Sequence, residues 1–269
     1  MTYQTIMKHL LLIIALIIFV ACNNQPKKES TRYSKESLDV TTSIYPEKIT
    51  RVFNAHGGID NWNKMKSLSF SMEKSFGLEI TTTDLKNRKS LIEMPKHTIG
   101  YDGEQVWLKS DDTTTYKGNA KFYYNLMFYF YAMPFVLGDD GIAYEDSEPL
   151  QIEDKSYPGI KISYETGIGE SPEDEYILFY DPETYKMTWL GYTVTYFTQE
   201  KGKEFHFIKY SAWQDVDGLL LPKTLSWYNY ENNVPTTRRN DLDFIDIKLS
   251  KEKPNPEIFV KPEGANVVD

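Results

Sequence analysis

The chain is poor in the residues that carry metal and redox chemistry. Its 269 residues include one cysteine, Cys22, and four histidines. A lone thiol excludes an intrachain disulfide and a thiolate metal cluster. His56, His97 and His206 have no second histidine or cysteine at ligand spacing, and catalytic zinc typically takes three protein ligands, so no metal is expected. There is no basic block, and the formal net charge is −9, which argues against nucleic acid as a partner. Phosphate-loop and hydrolase signatures are missing as well. Gly167-Ile168-Gly169-Glu170-Ser171 lacks both the lysine of a phosphate loop and the nucleophile-centred spacing of a hydrolase elbow, so it reads as a loop between strands. Glu173-Asp174-Glu175 and Asp139-Asp140-Gly141 lack the alternating oxygen spacing of a calcium loop and read as solvated turns. Carboxylates are too numerous for any pair to stand out as an acid–base couple. No catalytic residue and no cofactor is assigned, and the chain is expected to be non-enzymatic.

The position of the single cysteine is informative. Lys8 is followed by an unbroken apolar run, Leu10–Ala21, and then by Phe19-Val20-Ala21-Cys22 across the end of that run. This resembles a bacterial lipoprotein signal, which implies cleavage before Cys22 and lipid attachment to it. Asn23 and Asn24 replace the aspartate that resembles an inner-membrane retention signal, so the resemblance implies a Gram-negative outer membrane; it leaves the periplasmic and exterior faces open, and the periplasmic one is expected. The expected organisation is a signal peptide over 1–21, the lipidated cysteine and a polar tether over 22–43, and a single domain over 44–269.

In that domain one stretch stands apart. Phe122–Leu137 is apolar or aromatic at every position except Asn125. As a helix it would extend about 24 Å, short of a hydrocarbon core of about 30 Å, so it is expected to be internal. Asn119 can cap its start, Gly138 can close its end, and Pro134 predicts a kink or a fresh start. At helical spacing Tyr124, Phe128, Tyr131 and Phe135 form one stripe, and Phe122, Leu126, Phe130, Met133 and Leu137 another. A helix apolar on both faces needs cover on both. It serves either as a plug completing the core or as the wall of a cavity for an acyl chain. Candidate ligand contacts are Tyr124, Phe128, Tyr131 and Phe135 of the first stripe, with Trp107 and Trp189 from strands.

The remainder reads as helix followed by strands. Ile44, Ile49, Val52 and Phe53 predict an amphipathic helix closed by Gly57-Gly58, and Asp60 a cap for a second helix with Trp62 and Met65. Leu68, Phe70 and Met72, then Leu78 and Ile80, alternate with polar residues in the half-buried antiparallel pattern. Strands are expected again over 88–94, 97–101, 105–109, 160–164, 175–180, 187–197, 205–213 and 219–230. In 241–249 the apolar phase slips between Phe244 and Ile245, predicting a β-bulge. Residues 254–259 predict a closing turn before an edge segment ending at Val268. The fold class expected is mainly β with a few helices. It is a curved antiparallel half-barrel sheet whose concave side is covered by helices.

That architecture resembles the outer-membrane lipoprotein carrier and receptor superfamily. More closely, the chain is similar to a family of uncharacterised Gram-negative envelope lipoproteins. The segments that carry the likeness are Asn54–Gly58, Phe122–Leu137, Tyr180–Tyr185, Gly218–Lys223 and Lys261–Ala265. The resemblance implies a half-barrel that binds a hydrophobic ligand, a lipid or an acylated peptide, and is held to the membrane by its N-terminal lipid. An alternative is an envelope assembly protein that docks a protein partner through an aromatic patch containing Tyr124 and Tyr131; a hydrolase is the third reading.

Overall fold

Pro46 and the glycine pair Gly57-Gly58 delimit the first helix, α1 (Glu47–Ala55). Proline at the N-cap forfeits no intrahelical donor, and both glycines sit at positive φ. Ile49, Val52 and Phe53 are fully buried, whereas Ile44 precedes the helix and is exposed. Helix α2 (Ile59–Trp62) starts from Gly58, so Asp60 lies in its first turn and does not cap it. These coordinates come from a computed structural model that describes residues 43–111, 114–164, 174–196 and 204–268, all within one compact unit beginning at Ser43. The leader, Cys22, the tether, the loop Gly167–Ser171 and Phe197 lie outside the described residues.

The strands form two open antiparallel sheets. The first contains β1 (Ser67–Lys74), β2 (Gly77–Asp84), β3 (Ser90–Glu93), β4 (His97–Tyr101) and β5 (Val106–Ser110). The second is the meander β6 (Ile142–Ile152), β7 (Lys155–Tyr164), β8 (Tyr176–Tyr180), β9 (Met187–Tyr192), β10 (His206–Val216), β11 (Leu219–Glu231) and β12 (Val234–Asp243). Strands β13 (Ile245–Ser250) and β14 (Asn266–Val267) return to the two edges of the first sheet, giving the order β13-β1-β2-β3-β4-β5-β14. The architecture is therefore mainly β, antiparallel and open, with few helices. The strands expected in one curled sheet are divided between two.

Phe244 marks the division. It is the single residue between β12, which pairs with β11, and β13, which pairs with β1. Its N–H donates to the Lys223 carbonyl at 2.9 Å, and its ring packs on Phe70 and Tyr131 with centroids 5.4 and 4.4 Å away. The expected phase slip falls at this crossing. A bulge follows at once: Ser69 pairs with Lys248 and Ser71 with Ile245, which leaves one extra residue on β13, and Asp246 has φ 53°.

Two of the segments that carry the family likeness meet. The Leu220 N–H donates to the His56 carbonyl at 2.9 Å, and a Cβ on Gly57 would lie 2.1 Å from the Gly218 carbonyl oxygen. Only glycine allows the α1 terminus to touch the β10–β11 turn so closely.

Strands β6 and β12 were not expected, because their sequences are polar and each contains a proline, Pro149 and Pro235. They are the two edges of the second sheet, where proline and charge are tolerated. A sharper departure concerns β2. The alternation puts Leu78 and Ile80 inside, yet Glu79, Thr81 and Thr83 are buried and Leu78 is 41% exposed. Register explains it: Met72, Phe70 and Leu68 are the direct partners of Glu79, Thr81 and Thr83, so the polar row shares the inner face with the apolar row of β1.

The aromatic stretch is likewise broken up. A single kinked helix was expected; three short pieces are found, α3 (Ala120–Tyr123), α4 (Leu126–Tyr131) and a 3-10 turn (Phe135–Gly138). Asn119 caps α3 as expected, accepting from the Phe122 N–H at 2.9 Å, and a new piece starts after Pro134. The break at Asn125 (φ −128°, ψ −3°) was not anticipated. Interruptions strand backbone carbonyls, and side-chain hydroxyls take them up. Ser90 donates to the Tyr124 carbonyl at 3.1 Å, Tyr210 to Phe130 at 2.7 Å, Tyr45 to Gly138 at 2.7 Å and Tyr144 to Leu137.

Candidate functional site

Breaking the stretch turns its two halves into walls of different character. α3 lies over the first sheet, where the Tyr123 hydroxyl donates to Glu79 Oε1 at 2.7 Å. α4 and the 3-10 turn are embedded in the main core between the two sheets. Between α3–α4 and strands β7 and β8 is a cavity of about 410 Å³. It is lined by Phe122, Leu126, Tyr129, Phe130, Met133 and Val136 from the aromatic stretch, and by Tyr164, Tyr176 and Tyr196 opposite. Small-molecule sites occupy about 300–1000 Å³ and combine apolar walls with a few polar groups. This cavity has that composition, with Lys121, Asp139, Asp140 and Asp174 as its charged groups.

Aromatic contacts run along the walls, with Tyr164 and Tyr176 edge to face. Tyr164 and Tyr176 lie 5.9 Å apart, and Phe122 sits 4.9 Å from Tyr196. Burial, reinforced by neighbouring tyrosines and carboxylates, raises the phenol pKa of Tyr164 and Tyr176 above its ordinary value, so both keep their protons. Asp174 accepts from the Thr195 N–H at 2.6 Å; burial pushes its carboxyl up while that bond pulls it down. Asp139 is also pushed up by burial and pulled down by Arg88. Neither aspartate sits in the solvated turn expected for it: Asp174 is buried, and Asp139 is ion-paired and lines the cavity.

A smaller cavity of about 120 Å³ lies on the other side of Tyr124, Asn125 and Tyr129, which line both. Its floor is a row of cross-strand partners, Thr83, Ser90 and Tyr101, and Asn87, Arg88 and Phe128 complete it. Arg88 (φ 58°) holds its guanidinium 5.2 Å above the Phe128 ring and places Nη2 2.6 and 2.5 Å from the two Asp139 oxygens. Arg88 Nη1 and Thr83 Oγ1 are buried with no hydrogen-bond partner.

The residues singled out from sequence are spread widely. Tyr124 lines both cavities and Phe128 the smaller one. Tyr131 is buried against Phe70 and Phe244, and Phe135 is stacked on Trp62 at 4.9 Å. Trp107 lies across from Gly100 on the other face of the first sheet and donates from Nε1 to the Phe259 carbonyl at 2.9 Å. Trp189 belongs to a separate cluster with Leu150, Phe179 and Phe207, edge-on to Tyr228 at 4.7 Å. The larger cavity is lined by the other stripe, Phe122, Leu126, Phe130 and Met133, together with tyrosines that no periodicity marked.

The histidines are dispersed. His56 is buried, with Nδ1–H donating to the Val52 carbonyl at 2.7 Å; His97 is bonded to Ser110 at 2.9 Å; and His206 lies between Tyr192 and Tyr230. Among the described residues no group of three or more metal-ligating side chains converges, and no helix is long and apolar enough to cross a membrane.

Residues 58–243 match the sequence model of a family of unknown function (DUF6503), and the chain belongs to that family. No curated protein matches it in sequence. Several solved structures are similar. A LolA superfamily protein from Nitrosomonas europaea covers 73% of this chain and 90% of its own at 10% identity and TM-score 0.43. A DUF1329 family protein from Desulfovibrio piger covers 76% and 93% at 10% identity and TM-score 0.44. A putative outer membrane lipoprotein-sorting protein domain from Vibrio parahaemolyticus covers 76% and 96% at 6% identity and TM-score 0.40.

Proposed function

We propose that this DUF6503 protein is a non-enzymatic binder of an acyl-chain ligand, held in the larger cavity. The carrying observation is the cavity itself, about 410 Å³ walled by aromatic and aliphatic side chains on an element too short to span a membrane. Phe122, Leu126, Tyr129, Phe130, Met133, Tyr164 and Tyr176 are the contacts proposed. The buried phenols keep their protons and supply hydroxyl groups along the wall without charge. Cys22 and the run before it support a lipid anchor that places the domain at the outer membrane of a Gram-negative envelope, facing the periplasm, with the domain comprising residues 44–269.

The docking alternative rests on Tyr124 and Tyr131, and both side chains are buried, so they form no exposed patch. Extraction of the purified protein with organic solvent, followed by mass spectrometry, tests the reading. An acyl lipid near one equivalent is expected from the wild type and little from Leu126→Trp, which fills the cavity. A clean wild-type extract, or equal recovery from the variant, would overturn it.

A further inference from the structure

The smaller cavity is bordered by residues that carry buried hydrogen-bond donors without partners. Arg88 and Thr83 both line it, and Arg88 Nη1 and Thr83 Oγ1 are buried and unbonded. A buried donor left unbonded costs about 1–3 kcal/mol, so two in one small cavity call for an acceptor from outside the chain. They are not by-products of an apolar core. Thr83 is there because β2 turns its polar row inward, and Arg88 because the β2–β3 turn holds it at φ 58°.

The cavity's place gives the acceptor's context. Tyr124, Asn125 and Tyr129 separate it from the larger cavity, and the Arg88–Asp139 pair links the two, Arg88 lining one and Asp139 the other. A ligand with its chain among the tyrosines would bring its polar end to this partition. Charge then narrows the chemistry. Asp139 already balances Arg88, and Lys121, Asp140 and Asp174 also line the larger cavity, so the two cavities together carry two cations against three carboxyl groups. A carboxylate or phosphate would meet net negative surroundings, whereas an uncharged carbonyl needs only the donors.

Resting on the acyl-chain reading of the larger cavity, we propose that the smaller cavity receives the ester or amide carbonyl of a neutral acyl lipid, hydrogen-bonded by Arg88 Nη1 and the Thr83 hydroxyl. The test is displacement of the neutral dye N-phenylnaphthylamine from the full chain by monopalmitoylglycerol, palmitate and hexadecane. The apolar leader contributes equally to every variant. Monopalmitoylglycerol is expected to compete best. Thr83→Val and Arg88→Lys are each expected to weaken it by about three- to tenfold, the value of one hydrogen bond, and to leave hexadecane unchanged. Arg88→Lys retains the ion pair. Thr83→Val deletes an unbonded hydroxyl, so its melting temperature should stay level or rise, which separates lost binding from lost folding. Unchanged monopalmitoylglycerol binding in both variants, or palmitate as the strongest competitor, would overturn the proposal while leaving the acyl site standing. If neither dye nor competitor binds, the acyl site falls and this proposal falls with it.

Discussion

Glu79 Oε1 accepts a 2.7 Å hydrogen bond from the Tyr123 hydroxyl inside the protein, while Glu79 Oε2 is buried and unbonded. This contact ties β2 to α3. Burial raises the Glu79 pKa, with Tyr123 and Lys74 acting against the shift. A carboxylate whose folded pKa lies above its unfolded value contributes stability that is full below the unfolded value and is lost as pH rises through the folded one. Glu79→Gln keeps an acceptor for Tyr123 and carries no charge. Its melting temperature relative to wild type is expected to rise as pH climbs from the ordinary glutamate value of 4.5 through the raised folded one. A constant difference across the range would remove the buried charge from the explanation.

Arg88→Gln and Asp139→Asn break the pair between the cavities. Both side chains are partly exposed, at 27 and 38%, so the loss is discounted from that of a buried pair. Denaturant unfolding should show each variant less stable by about 1–2 kcal/mol. A double variant should lose little more than either single one, because the second substitution removes a group already left alone.

Gly57→Ala is expected to destabilise by about 2 kcal/mol or more, since the added methyl meets backbone and the residue has φ 100°. Gly58→Ala has similar φ, but its nearest atom is 3.9 Å away and belongs to a side chain. Comparing their unfolding midpoints separates the contact with Gly218 from backbone preference. Equal losses would mean the contact contributes nothing.

His56 should give the chain a pH dependence of opposite sign to that of Glu79. Its pKa is lowered by burial from 6.5 to about 4, against the bond to Val52. The neutral form is favoured on folding, so the contribution is full above the unfolded value and falls as pH drops from 6.5 towards 4. The loss amounts to about 3 kcal/mol at most. Unfolding free energies of His56→Gln, subtracted from those of wild type across this interval, should isolate that slope, and a flat difference would count against it.

The sequence made the general architecture legible through local signals. The alternation Leu68, Phe70, Met72 identified β1, Asn119 and Pro134 marked where helical pieces begin, and the slip at Phe244 marked the bulge of β13 but not the change of sheets that accompanies it. It failed where tertiary pairing outweighs local pattern. β6 and β12 are edge strands, with one side free of pairing in their sheet and no need of an apolar alternation. β2 is oriented by its partners, not by Leu78 and Ile80, and the inversion is what furnishes the smaller cavity. The larger cavity was legible in one respect, that the aromatic stretch needs cover on two faces. Which stripe borders the space depends on the break at Asn125, which no periodicity reveals. Arg88 could have been suspected only from a turn whose geometry the sequence does not show.

An acyl probe with a photoreactive diazirine at its chain end tests the central claim most directly. After irradiation, adducts are mapped by peptide mass spectrometry. Labelling is expected on 122–133 and around Tyr164 and Tyr176, and should be suppressed by excess monopalmitoylglycerol and by Leu126→Trp. Labelling concentrated instead on the separate outer cluster of Phe179, Trp189 and Phe207, or labelling indifferent to both competitor and variant, would contradict an acyl site between the aromatic stretch and the second sheet.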